Sequence, residues 1–134
     1  MLGEKIGEEK GKVTLQRVLP NPGGGPTMET SFQATGSLLG VNTSDTGTYV
    51  ATMRADGTLF GEGQGIVMGK GGEAATWCGQ GVGTLKKDGA VSFRGAIYFQ
   101  SASPAWARLN SLAVVYEYET DPQGNTKSQN WEWK

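Results

Sequence analysis

Two glycine ladders decide the fold of this chain: Thr58-Leu59-Phe60-Gly61-Glu62-Gly63-Gln64-Gly65 and Trp77-Cys78-Gly79-Gln80-Gly81-Val82-Gly83. In an extended chain, successive side chains point to opposite faces. Each ladder therefore puts three glycines on one face, and Glu62 and Gln64 or Gln80 and Val82 on the other. The pattern is useful only if the two strands are neighbours. A third alternating stretch, Val91-Ser92-Phe93-Arg94-Gly95-Ala96-Ile97-Tyr98-Phe99, follows them.

The segments on either side repeat this design. Upstream, Ala55-Asp56-Gly57 is a tight hairpin signal, with a glycine free to take positive φ. Before it lie a Thr- and Val-rich strand, Thr46 to Arg54, and a turn, Gly40 to Asp45. Thr27 to Leu39 alternates again, with Met28, Thr30, Phe32, Ala34 and Gly36 on one face. Pro20 to Pro26 is a loop by composition, and Lys12 to Leu19 is the strand before it. Residues 1–11 are charged and glycine-punctuated, so they either fray or form an irregular first strand. Downstream, Gly69-Lys70-Gly71-Gly72 and Lys86-Lys87-Asp88-Gly89 bracket the strand Glu73 to Leu85, and Ala90 to Ser101 follows. Ser103 to Asn110 breaks the rhythm with a helical turn, Ser103 as N-cap and Pro104 at its first position. Leu112 to Thr120, a turn at 121–125 and Thr126 to Trp133 complete eight strands. Short local turns favour consecutive pairing, and closure removes exposed edges. The expected fold is all-β, an eight-stranded up-and-down antiparallel β-barrel, with an open sandwich as the alternative.

Composition bounds the function. The 134 residues make one domain, 1–134, of 37% hydrophobic and 19% charged content. A net charge of −1 with mixed signs argues against nucleic acid and against a polybasic membrane contact. A single cysteine, Cys78, cannot form an internal disulfide, and Met1-Leu2-Gly3-Glu4-Lys5-Ile6 has no apolar h-region. No apolar run approaches the roughly 20 residues of a membrane helix. A cytoplasmic protein is the expectation.

No histidine is present, which removes Ser-His-Asp and Cys-His nucleophilic catalysis and the usual zinc sites. Cys78 is expected as a small buried filler. The ladders lack G-x-G-x-x-G spacing and no helix follows them, and Gly69-Lys70-Gly71-Gly72 lacks Walker spacing, so neither cradles a phosphate. Asp121 to Asn125 lacks the glutamate of a calcium loop and is a turn. Neither a metal nor a cofactor is called for. Carboxylate acid–base chemistry remains open, since Glu29, Glu62, Glu117 and Glu119 sit mid-strand.

The alternation does not say which face of the ladders is inside. With the glycines inside, large rings from neighbouring strands could lie against the bare backbone, the candidates being Trp77, Phe93, Phe99, Tyr116, Tyr118, Trp131 and Trp133. Alternatively the glycines widen a cavity for a ligand. With the opposite face inside, Glu62, Gln64, Cys78, Gln80, Arg94, Tyr98 and Gln100 become a polar lining, with Arg94 as counter-ion for Glu62 or Glu117. Glu62, Gln64, Gln80, Arg94, Tyr98 and Trp77 are the candidate ligand contacts, and Glu62 and Glu117 are the candidate catalytic carboxylates.

The two ladders, together with Arg94-Gly95-Ala96-Ile97-Tyr98, Ala107-Arg108-Leu109-Asn110 and Trp131-Glu132-Trp133, carry a resemblance. The chain resembles a family of small uncharacterised prokaryotic proteins whose barrel is similar to allene oxide cyclase. That enzyme closes a ring on a fatty-acid epoxide inside its barrel, and related dirigent-type barrels steer radical coupling. The resemblance implies an allene oxide cyclase-like barrel of calycin type and, by analogy, a homo-oligomer, dimer or trimer. It carries over no site residue. Three functions follow as expectations. The first is binding of a small apolar ligand inside the barrel, which needs a cavity of at least ~300 Å³. The second is a cyclase or isomerase using a glutamate. The third is a filled barrel serving as an interaction module.

Overall fold

A computed structural model describes residues 1–134. The strands are β1 (Leu2–Leu19), β2 (Thr27–Leu38), β3 (Val41–Met53), β4 (Leu59–Gly69), β5 (Ala74–Leu85), β6 (Val91–Gln100), β7 (Ala113–Thr120) and β8 (Asn125–Trp133). They close into a barrel in sequence order, every neighbouring pair antiparallel and β8 returning to β1. This is the expected up-and-down barrel and not the open sandwich.

Two boundaries differ from the sequence reading by more than one residue. The glycine-punctuated residues 2–11 are the first half of β1, and that strand absorbs its irregularity as register shifts against both neighbours. β3 begins at Val41, not Thr46, because the turn needs only Leu39 and Gly40, both at positive φ (48° and 77°). Leu39 accepts this uncommon backbone while its side chain packs on the core.

The barrel has two unlike ends. At one end, strands turn through Leu39-Gly40, through Lys70–Glu73, and through a 3₁₀ helix at Pro104–Ser111. Trp106 and Leu109 of that helix are completely buried against Ile6, Leu38, Val67, Phe99 and Val114, and they plug the barrel. Asn110 clamps the plug to β6 by accepting from the Ser101 amide (2.7 Å) and donating to the Ser101 carbonyl (2.8 Å). Ser103 stands at the N-cap position, but its hydroxyl accepts from the Ala74 amide (3.0 Å) and makes no cap bond. It therefore pins the plug to β5. The other end, formed by the loop 20–26 and the hairpin turns near 56, 88 and 122, has no helix across it.

Glycines line the interior. The ladders lie directly side by side, Gly61 opposite Gly81 and Gly63 opposite Gly79. A ring from a later strand lies over each bare stretch. Trp77 of β5 covers Gly65 of β4 and Gly47 of β3, where a Cβ would come within 2.6 Å of the indole Cζ2. Phe93 of β6 covers Gly83 of β5 and Gly61 of β4, at 2.6 and 3.1 Å from the same ring carbon. Tyr116 of β7 crosses β6 at Gly95 and puts its hydroxyl over Gly81 of β5. Each ring leans back across one or two strands, and the missing Cβ atoms make that possible. Phe32, Tyr49, Trp77, Phe93 and Tyr118 then form one cluster, with neighbouring ring centroids 5.6–6.3 Å apart.

No helix is long and apolar enough to cross a membrane.

Candidate functional site

Because the glycine face is inside, its partner face is outside. Glu62, Gln64, Gln80, Arg94 and Tyr98 all stand exposed on the outer wall. Of the six candidate ligand contacts, Trp77 alone is turned into the interior; Glu62, between Gly61 and Gly63, borders the inner cavity but is itself exposed. Glu117 is also outside, flanking inward-facing Tyr118 together with Glu119. Arg94 pairs with Glu117 (3.3 Å) and Glu119 (3.7 Å), so the expected ion pair forms, but on the surface. Glu29 pairs with Arg17 (3.1 Å), again off the barrel interior. Cys78 alternates with Trp77 and Gly79 and is exposed, not the buried filler expected of it. The rings Trp131 and Trp133 are half-buried and exposed, respectively, and cover no glycine.

The buried polar groups come from two stretches read as irregular and as a turn. Glu9 of β1 and Asp45 of β3 meet inside the barrel, across β2. The strand between them presents Ala34 and Gly36, which are too small to keep the two carboxyls apart. Trp77 donates its indole N–H to Asp45 Oδ1 (2.9 Å). The indole reaches that acceptor only by lying flat over Gly65 and Gly47. The glycine ladder is therefore what brings β5 into contact with the carboxyl pair on the far side of β4.

Burial pushes Glu9 up to about 9, helped by the charge of Asp45 and by the hydrogen bond Glu9 donates to it. Burial also raises Asp45, opposed by the hydrogen bonds it accepts from Glu9 and Trp77. Burial of both carboxyls thus favours a proton kept on Glu9 and shared with Asp45. Two tyrosines face it from β7. Burial pushes Tyr116 up to about 12, helped by Tyr49, and burial also raises Tyr118, helped by Tyr49 and then by the charges of Glu9 and Asp45. Tyr118 donates to the Tyr49 hydroxyl at 3.5 Å, and burial raises Tyr49 as well. All 12 lysines and arginines are exposed, so nothing cationic inside the barrel balances the pair. No three acidic, cysteine or histidine side chains come together as metal ligands.

The carboxyls, Tyr49, Trp77, Tyr118 and Asn130 line an inner cavity of about 80 Å³, room for a few waters or one small headgroup. The rings over the glycines have taken up the rest of the space. Tyr49 and Phe93 also belong to a second, larger hollow of about 360 Å³ at the unplugged end. Its walls are Val13, Met28, Ala51, Met53, Leu59 and Val91, together with further residues of the strand ends there. The barrel is thus a calyx with an apolar mouth, a throat at Tyr49 and Phe93, and an acidic chamber below. The signal for this site was present in the sequence. Gly7-x-Glu9-x-Gly11 and Thr43-x-Asp45-x-Gly47-x-Tyr49 carry a carboxylate in register with glycines, as the ladders carry none.

No family model and no curated protein matches the sequence. Solved structures do match the fold. A protein of unknown function from Clostridium acetobutylicum ATCC 824 superposes with a TM-score of 0.84 at 16% identity, covering 98% of both chains. A conserved protein of unknown function from Rhodopseudomonas palustris gives 0.83 at 11% identity, covering 99% of both. A beta-barrel like protein from Acinetobacter baumannii AYE gives 0.84 at 10% identity, covering 100% of this chain and 96% of its own. At these identities the likeness is one of fold: this chain has the closed barrel those proteins share.

Proposed function

We propose that the barrel binds a small amphipathic molecule, its apolar body in the mouth and its polar end directed at the throat. One observation carries this reading: an open apolar mouth narrows onto a buried polar chamber while the opposite end is plugged. A protein with no need of a ligand gains nothing from leaving Met53, Leu59 and Val91 around an open hollow. The mouth, not the inner cavity, supplies the volume such a ligand requires. A filled interaction module is the weaker reading for the same reason.

Titration with a neutral apolar fluorophore tests it. Ala51→Trp fills the mouth and should abolish binding, while Glu62→Gln on the outer wall should leave it unchanged. Binding that survives Ala51→Trp would refute the proposal.

A second reading has one observation in its favour. Burial keeps a proton on Glu9 where it hydrogen-bonds Asp45, so two carboxyls that share a proton sit together at the end of the calyx. Ring closure or isomerisation, as in the allene oxide cyclase barrel that the chain resembles, would use these groups and not Glu62 or Glu117. A cytoplasmic setting and self-association as a dimer or trimer belong to the same proposal. Native mass spectrometry of protein from its own host reads stoichiometry and any retained ligand together.

A further inference from the structure

We infer that the polar end of the ligand is a cation, a protonated amine, seated at the carboxyl pair Glu9 and Asp45. This rests on the reading of the barrel as a ligand-binding calyx. The argument is one of charge and lining. The chamber holds two carboxyls and no basic side chain, since every lysine and arginine is exposed. Around them stand Phe32, Tyr49, Trp77, Phe93 and Tyr118, whose ring faces are electron-rich. Of the hydrogen bonds made to the pair by the rest of the chain, only the Trp77 N–H is a donor, and it goes to Asp45. Glu9 has no donor of its own and spends its proton on Asp45.

The charged groups of the chamber are acidic and stand among ring faces and the neutral Ser37, Thr43, Ser128 and Asn130, so it repels an anion and favours a cation over a neutral headgroup. It suits an ammonium, which brings N–H donors and a positive charge together. Exchange of the shared proton for the ammonium balances. The pair with one proton carries −1. An ammonium bound to two ionised carboxylates also leaves −1, and the displaced proton goes to solvent. The buried charge therefore does not change on binding, which removes the usual penalty for bringing an ion into a barrel. The other titratable groups facing the pair are Tyr49 on β3 and Tyr116 and Tyr118 on β7. All three stay neutral through the physiological range because burial raises them.

The test uses the intact protein with n-hexylammonium, 1-hexanol and hexanoate as probes, by calorimetry at pH 7 in two buffers of different ionisation enthalpy. Hexylammonium should bind at least about tenfold tighter than hexanol and release up to one proton, and hexanoate should not bind. Its affinity should rise about tenfold per pH unit from pH 6 to 8, and level off near pH 9, where the pair loses its proton. Glu9→Gln should abolish proton release and flatten the pH dependence of hexylammonium affinity, while Arg94→Ala on the outer wall should leave both unchanged. Hexanol binding as tightly as the ammonium, or an affinity flat from pH 6 to 8, overturns the inference but leaves the calyx. Failure of all three probes to bind overturns the calyx itself.

Discussion

Gly65→Ala is the sharpest test of how this barrel is assembled. A Cβ on Gly65 would collide with Trp77 Cε2 and Nε1, the rigid part of the indole and not a flexible tip. The ring must lift, and two losses follow. Overpacking in a filled interior costs about 1–3 kcal/mol. Displacing Nε1 also weakens the 2.9 Å bond to buried Asp45, a hydrogen bond to a charged acceptor worth about 1.5–3 kcal/mol. Replacing glycine with alanine returns about 0.4–1 kcal/mol by stiffening the unfolded chain. The net expectation is a loss of about 2–4 kcal/mol. Gly61→Ala is the internal control. Its Cβ would meet only the edge of Phe93 at 3.1 Å, which a small ring shift relieves, so the expected loss is under about 1.5 kcal/mol. Urea melts followed by circular dichroism measure both. A double cycle with Trp77→Leu should show a coupling of at least about 1 kcal/mol with Gly65→Ala, because removing the ring removes the clash. Equal losses at Gly65 and Gly61, or no coupling to Trp77, would show that the glycines are not there to seat the rings.

The remaining predictions concern the carboxyl pair, the plug and the outer wall. Glu9 is raised on folding, from 4.5 to about 9, so the native state holds a proton that the unfolded chain releases. This contribution is full below about pH 4.5 and is lost as pH rises towards 9, at up to about 1.4 kcal/mol per pH unit. Urea melts between pH 5 and 8 should therefore show falling stability, and Glu9→Gln should flatten the slope; a wild-type stability that rises over this range refutes the shared proton. Trp106 is fully buried at the plugged end, so Trp106→Ala should cost about 3–5 kcal/mol in the same melts. Arg94→Ala removes half-exposed pairs with Glu117 and Glu119 and the hydrogen bonds to Ser92 Oγ and the Phe93 carbonyl, and should cost no more than about 1–2 kcal/mol. It should leave fluorophore binding untouched, which separates the outer wall from the calyx.

The strand order of the barrel was legible because hairpin turns such as Ala55-Asp56-Gly57 and Lys86–Gly89 are local and join consecutive, alternating segments. The site was less legible. Reading Gly40 to Asp45 as a turn hid Asp45, and treating residues 1–11 as irregular hid Glu9. Both segments are strands only because a neighbour pairs with them: β4 holds the start of β3, and β2 and β8 hold the start of β1. Local composition carries no trace of that pairing.

What the sequence determined alone was the alternation, the turns and the adjacency of two strands with bare faces. Which face lies inside was decided by tertiary structure, and against the usual rule. Val82 and Ile66 are exposed, and glycines line the interior. A glycine has no side chain to mark its face as core. Its apolar volume is supplied by Trp77, Phe93 and Tyr116 from strands later in the chain. Only closure of the barrel brings those rings over the ladders, and with them the indole N–H that reaches Asp45.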